Sequence, residues 1–223
     1  MPVRNNESSV AKSIESICNQ TFENFEFLII DDFSSDSTYE IIKEYEKKDN
    51  RLKIFKNTEN IGLTKSLNKL ISLSKGSIIA RQDGDDISSR HRFSKQSHYF
   101  ESSDYDFCLT RATTLPGGKV RPNYSYYLPA KLVSRFKNPF IHGTLMIRKR
   151  TLLQIGSYNE NFYYAQDFKL FKDLLNRNKK FKYIKEPLYK LNTQSNISTL
   201  KKIEQEYYSN LVKNNQEPSK LIK

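Results

Sequence analysis

Residues 60–88 read NIGLTKSLNKLISLSKGSIIARQDGDDIS, and this one stretch places a helix, a strand and a cluster of acids in immediate succession. Leu63, Leu67, Leu70 and Ile71 recur at helical spacing, and Gly76 offers the stop. The apolar SIIAR that follows predicts a buried strand, closed by Asp83, Asp85 and Asp86. A helix feeding a short apolar strand is the unit of an open α/β sheet with crossover helices. Such sheets bind ligands at the carboxyl ends of their strands, which is where these acids stand.

Working outward, the same alternation recurs. Upstream, FEFLIIDD (25–32) predicts a second buried strand that also ends in acids, Asp31 and Asp32. Ser37 and Glu40 have capping-box spacing ahead of a helix over 39–48, and LKIFKN (52–57) reads as a strand. Val10, Ile14, Ile17 and Cys18 share one face of a helix over 8–20. Downstream the pattern loosens. Helices are expected at 90–100, 130–136, 150–156, 165–177 and near 199–214, and strands at 105–109, 143–149 and 181–191, with a Pro/Gly loop around 115–120.

If the chain stays extended past Ala80, Asp83 and Asp85 point to one side, because strand side chains alternate with a period of two. Carboxylates this close repel, and a hard divalent cation such as Mg2+ or Mn2+ relieves the repulsion while drawing in substrate phosphates. The plainer alternative is a solvated Asp/Gly turn that caps the next helix. Asp31 and Asp32 would sit at the same edge of the sheet, one bracing backbone and the other facing the cleft. A carboxylate accepts but does not donate, so it suits the imide N–H of uracil, thymine or guanine and disfavours cytosine.

The 37 Lys and Arg residues exceed the 25 Asp and Glu by 12. That balance suits a polyanion, an anionic membrane or a phosphorylated small molecule, and equally a solvated basic surface. Nucleic acid is disfavoured, because acids gathered at one sheet edge repel phosphate and the aromatics fall at spacings expected of a core. Cys18 and Cys108, far apart, argue against a disulfide framework or zinc site and fit a reducing cytoplasm. No apolar run approaches the roughly 20 residues of a membrane span, so a soluble or peripheral protein is expected.

The segments MPVRNNES, IESICNQTFENFEFLIIDDFSSDST, NIGLTKSLNKLISLSKGSIIARQDGDDIS, NPFIHGTLMIRK and AQDFKLF resemble, in order and spacing, the motifs of family 2 glycosyltransferases over residues 2 to about 191. The resemblance implies an α/β fold of GT-A type: a Rossmann-like mixed sheet flanked by helices. It implies a GT-A domain over 1–191, with a nucleotide-binding half (about 1–104) and an acceptor half (about 105–191), then a helical tail over 192–223. Pro2, Val3, Asn5 and Glu7 would border the nucleoside, Asp32 would read the base, and the loop after Asn60 and Gly62 would lie near the nucleotide. Asp83 and Asp85 match the Asp-x-Asp motif for Mn2+ or Mg2+, with Asp85 the more direct ligand. Asp167 would be the general base, and His142 would either line the acceptor side or serve the structure.

The implied activity is inverting, metal-dependent transfer from a nucleotide-sugar donor, a UDP-sugar above all, to a glycan or lipid-linked acceptor in surface polysaccharide assembly. The implied location is the cytoplasm, peripheral at the inner face of the membrane. The basic tail, with Leu200, Ile203, Tyr207 and Leu211 as its thin apolar face, would rest on anionic lipid or pack on the domain. Arg4, Phe33, Gln166 and Phe171 depart from the family's usual residues. Family members carry an apolar strand ahead of the Pro-Val-x-Asn motif, and here Met1 directly precedes Pro2. The resemblance therefore implies a truncated first strand, with ladder groups exposed on its neighbours. A non-catalytic remnant that binds a sugar nucleotide or glycan is the second reading.

Overall fold

In the computed structural model, which describes residues 1–101, 103–194 and 201–219, the first half alternates as expected. It builds β1 (Pro2–Val3), α1 (Val10–Cys18), β2 (Phe27–Asp31), α2 (Thr38–Glu46), β3 (Leu52–Lys56), α3 (Leu63–Leu73) and β4 (Ile78–Ala80). β1, β2 and β3 pair in that order as a parallel sheet. Every residue of β2 is buried, and the period of two divides its load. Phe27 and Ile29 pack with Val10, Ile14 and Ile17 of α1 and Ile42 of α2, while Leu28 and Ile30 meet Leu70 of α3. Each such side chain contributes about 1.5–3 kcal/mol on burial, which fixes the strand that carries Asp31.

The second half builds β5 (Ile87–Ser88), α4 (Arg92–Glu101), β6 (Phe107–Leu115), β7 (Val120–Arg121), α5 (Ala130–Val133), β8 (Met146–Arg148), α6 (Lys149–Gln154), α7 (Gln166–Asn176), β9 (Phe181–Asn192) and α8 (Lys202–Lys213). Single 3-10 turns span Tyr124–Tyr127 and His142–Thr144. A second, mixed sheet runs β4-β8-β6-β9-β5, with β7 on β6. β6 extends to Leu115, past the expected end at 109, because β9 runs parallel beside it for its whole length. Pro187 lies opposite Arg111, where the register shifts, a position that tolerates its missing N–H.

Two expectations about β4 change. It is the terminal strand of the second sheet, so the two acid-tipped strands β2 and β4 do not share one sheet. It is not buried either. A cavity of about 390 Å³, lined by Phe27, Leu28, Ile78, Ile79 and Ala80 among others, lies between the two sheets, leaving Ala80 exposed and both isoleucines half-buried.

Helix ends also differ. Ser37 makes no side-chain cap; Asp36 Oδ1 accepts the Thr38 N–H at 3.0 Å and Glu7 Oε2 accepts the Ser37 N–H at 3.0 Å. α3 stops at Leu73, before Gly76. α8 buries Tyr208 and Val212 against Phe162, Tyr164 and Phe168, and Lys172 Nζ donates to the Val212 and Lys213 carbonyls at its C-terminus, 2.7 Å each. Tyr207 and Leu211 join that packing, Ile203 is exposed, and Leu200 lies outside the described residues. Among the described residues no helix is long and apolar enough to cross a membrane.

Candidate active site

After β4 the chain does not stay extended. It turns at Gly84–Asp85, with the Asp86 N–H directed at the Asp83 carbonyl, 3.4 Å away. The acids gather through a turn rather than through strand alternation. A Cβ on Gly84 would stand 2.8 Å from Val3 Cγ1 and 3.2 Å from Asn6 Oδ1, so only glycine lets the turn lie flat on the N-terminal segment. That contact brings Asp83 and Asp85 to the edge formed by β1.

The turn is braced from below. Ser13 Oγ donates to the Asp83 carbonyl at 2.7 Å, and Gln82 Nε2 donates to Ser13 Oγ and to the Asp86 carbonyl at 2.9 Å each. The Asp83 N–H donates to Tyr189 Oη at 3.2 Å, and the Asn192 N–H to Asp86 Oδ1 at 2.6 Å. Arg81 pairs with Asp83 Oδ1. Arg92, fully buried, donates to the Gly143 carbonyl at 2.6 Å and the Arg81 carbonyl at 2.8 Å, and its guanidinium sits 5.2 Å from the centroid of the Tyr189 ring.

Charge on this turn is under-compensated. Burial, then the neighbouring Asp83, push the Asp85 carboxyl up to about 6. Burial, with Asp83 and Asp85 adding, pushes Asp86 up to about 8. Burial opposes the Arg81 charge, and Asp83, Tyr158, Tyr189 and Asp86 together more than offset it. An excess of hard oxygen donors is the setting that a divalent cation fits. Asp85 and the second oxygen of Asp83 would hold it. Among the described residues no group of three or more His, Cys, Asp or Glu could hold a metal ion, so water or substrate oxygens would complete the shell.

Asp167 opens α7 after Ala165, which adopts φ 53°. Asn138 Nδ2 donates to Asp167 Oδ2 at 2.7 Å. Burial raises its pKa, backbone N–H groups at the helix start oppose this, and Asp83 adds to it. His142 Nε2 shares a 2.6 Å hydrogen bond with Tyr158 Oη. Burial, then Arg81, push the imidazole down to about 3, so it is neutral at physiological pH. Arg81 and Asp83 act electrostatically on His142, Tyr158 and Asp167. Asp167 thus lies within electrostatic reach of the Arg81–Asp83 pair.

The other acidic strand end is built differently. Asp32 Oδ1 accepts from Asn57 Nδ2 at 2.8 Å and the Ile61 N–H at 3.0 Å, and Oδ2 accepts from the Gly62 N–H at 2.9 Å. Asn60 Oδ1 also accepts from the Gly62 N–H, at 3.2 Å. Asp32, Asn60 and Gly62 thus form one loop-bracing network in which both Asp32 oxygens are engaged by the protein. Asp31 Oδ2 accepts the Ser34 N–H at 3.3 Å, while its Oδ1 is buried with no hydrogen-bond partner. Pro2 and Val3 are buried in β1. Asn5 exchanges hydrogen bonds with Ser34 and Ser35, and Glu7 with Asp36 and Ser37, so both tie the N-terminal segment to the loop after β2.

Sequence reasoning missed Arg81, Arg92, Asn138 and Tyr189. Arg81 had a signal, two residues before Asp83. Tyr189 is 106 residues beyond Asp83, and nothing local to the acids announces it.

Residues 1–172 match the sequence profile of the family described as glycosyl transferase family 2. The O-antigen biosynthesis glycosyltransferase WbnJ of Escherichia coli is 35% identical over 183 residues, covering 79% of this chain and 70% of that protein. The Bacillus subtilis (strain 168) protein EpsE is 34% identical over 165 residues, 71% of this chain; the chain spans 58% of that relative's length. A solved structure of the mannosyltransferase PcManGT from Pyrobaculum calidifontis, in complex with GDP-Man and Mn2+, matches with TM-score 0.74 at 16% identity, over 97% of this chain and 64% of that one. At that identity the likeness shows the fold, which is GT-A.

Proposed function

Because the chain belongs to glycosyl transferase family 2, we propose that it moves a sugar from a nucleoside diphosphate donor, a UDP-sugar, to a hydroxyl of a glycan or lipid-linked acceptor, with inversion, in surface polysaccharide assembly. What supports this reading is the turn that gathers Asp83, Asp85 and Asp86 at the end of β4, together with Asp167, held by Asn138 within electrostatic reach of Asp83: one acid able to take a proton and two able to attract a diphosphate-bound cation. WbnJ, named for O-antigen biosynthesis, supports the setting, and the GDP-Man and Mn2+ bound by PcManGT support the class of donor and ion.

The acceptor hydroxyl is a poor nucleophile at neutral pH, and Asp167 removes its proton as it attacks the anomeric carbon. Asn138 orients the carboxylate by holding Oδ2, which leaves Oδ1 for the proton. The raised pKa suits the task, since a base nearer neutrality holds the proton it has taken. Asp83 and Asp85 would hold Mn2+ or Mg2+, which when bound supplies a Lewis acid for the charge developing on the leaving diphosphate. Arg81 pairs with Asp83 and holds that side chain in place. His142, neutral and bonded to Tyr158, shapes the acceptor wall without carrying charge.

For the nucleobase, Asp31 joins Asp32 as a candidate. Its Oδ1 is the one oxygen of the pair left without a donor, and an imide N–H supplies one. Pro2, Val3, Asn5 and Glu7 form the neighbouring rim. We further propose that residues 1–104 are the donor half, 105–191 the acceptor half, and 192–223 a tail whose helix packs on the second. A donor panel with Mn2+ and Mg2+, read by released nucleoside diphosphate and thermal shift together, tests the reading. Transfer that requires divalent cation and disappears in Asp167→Asn is expected; binding of a donor without turnover under every condition overturns it.

A further inference from the structure

Between Asp106 and Glu160 the chain contains no acidic residue, and nine of positions 107–159 are Lys or Arg. Inside that stretch the 3-10 turn Tyr124–Tyr127 packs on α5, and residues 124–136, which span the two, present large apolar side chains to solvent. Tyr124 is 81%, Tyr127 66% and Phe136 69% exposed, and Leu128 and Leu132 are about half exposed. Scattered exposed apolar side chains are ordinary, but five within thirteen residues, carried on and beside two elements that pack on each other, are a concentration that calls for a partner. Lys131 and Arg135 are interleaved with it.

The patch continues into a groove. A cavity of about 370 Å³, lined by Arg121, Tyr124, Lys137 and Asn138 among others, opens beside it, and Asn138 is the residue that holds Asp167.

We propose that residues 119–137 form a docking surface for an anionic lipid bilayer, with Tyr124, Tyr127 and Phe136 entering the headgroup layer and Lys131 and Arg135 lying against lipid phosphates. Aromatic side chains with adjoining cations and no acids are the chemistry of the membrane interface, since rings settle at headgroup depth and long cationic stems lie along apolar surface. The charge argues for lipid over a second copy of the chain, because two such faces would repel. It also moves the membrane contact away from α8, whose apolar side chains Tyr208 and Val212 are spent inside the fold. In one respect the proposal rests on the transferase reading: a lipid-borne acceptor docked here would enter the groove beside Asn138 and Asp167.

Co-sedimentation of the full chain with phosphatidylcholine vesicles, with and without about a third phosphatidylglycerol, tests it without any donor. Binding that needs phosphatidylglycerol and weakens with salt is expected. Lys131→Glu combined with Arg135→Glu should weaken it at least about tenfold, and Tyr127→Ser combined with Phe136→Ser about tenfold, both with unchanged circular dichroism and melting temperature. Absence of binding to the anionic vesicles overturns the proposal. So does binding that both double variants retain, or that Lys202→Glu with Lys213→Glu abolishes instead. Self-association that Tyr127→Ser with Phe136→Ser removes overturns it too, by making the face a protein contact. Vesicle binding by a chain inactive on every donor leaves the docking intact and sinks only the transferase reading; turnover without vesicle binding does the reverse.

Discussion

Asp32, beyond β2, receives three hydrogen bonds from Asn57, Ile61 and Gly62, whereas Asp85, beyond β4, lies in a turn with Asp83 and Asp86 and is pushed toward its neutral form. Both are acids at the tip of an apolar strand, and the contrast separates two uses of one residue type. Where donors saturate a carboxylate, it organises its own loop. Where carboxylates are desolvated together with too few donors, the fold stores repulsion that a ligand relieves. The comparison predicts opposite outcomes for removing each acid.

The largest effect should fall on activity. Asp167→Asn and Asp85→Ala should each lower kcat by about 10²–10⁴, the range for a positioned proton acceptor and for an electrostatic partner of the leaving group. Measured without divalent cation, Asp85→Ala should unfold in urea at the same or a higher concentration than the parent, since it removes a repelling charge. A variant that loses both stability and turnover breaks the contrast by making Asp85 a structural residue like Asp32.

Next in size is a stability effect beneath the acidic turn. Arg92→Met leaves the Gly143 and Arg81 carbonyls unpaired in the interior, and should cost about 3 kcal/mol in a urea titration. Asp32→Ala comes after it, at about 2 kcal/mol, because three donors lose their acceptor. Hydrogen exchange should place that loss at residues 57–62, with the melting shift produced by Mn2+ unchanged. A loss of the Mn2+ shift in Asp32→Ala would erase the distinction between the two strand ends.

The sequence disclosed the first half of the fold because there each element carries its own instruction. The continuous run Phe27–Asp31 must be covered on both faces, and the stripe Leu63, Leu67, Leu70 and Ile71 must find a sheet. Asp83, Asp85 and Asp167 stand out in the sequence as candidates through the residues around them. What stayed hidden depends on contacts distant in the chain. β6 runs to Leu115 because β9 lies beside it, and Tyr189 reaches the Asp83 N–H only once β9 has paired with β5. The saturation of Asp32 was hidden for the same reason, since its partners arrive from the turn before α3. Spacing identifies an acid at a strand end but does not count the donors that will meet it.

The smallest expected effect, on pH, probes that donor count directly. The Asp85 carboxyl, at about 6 in the fold against 3.8 in the open chain, binds more proton folded than unfolded between those values. Its contribution to stability is therefore fully present below pH 4 and is lost as pH rises through 6, with Asp86, pushed up to about 8, prolonging the fall. After screening by solvent at the cleft, the loss should amount to about 1 kcal/mol. Mn2+ competes with the proton for the same oxygens, so it should raise the melting temperature at pH 7.5, do nothing at pH 4.5, and lose most of its effect in Asp85→Ala. A melting shift that is equal at both pH values would place the ion elsewhere on the surface and leave the acidic turn a stored repulsion without a ligand.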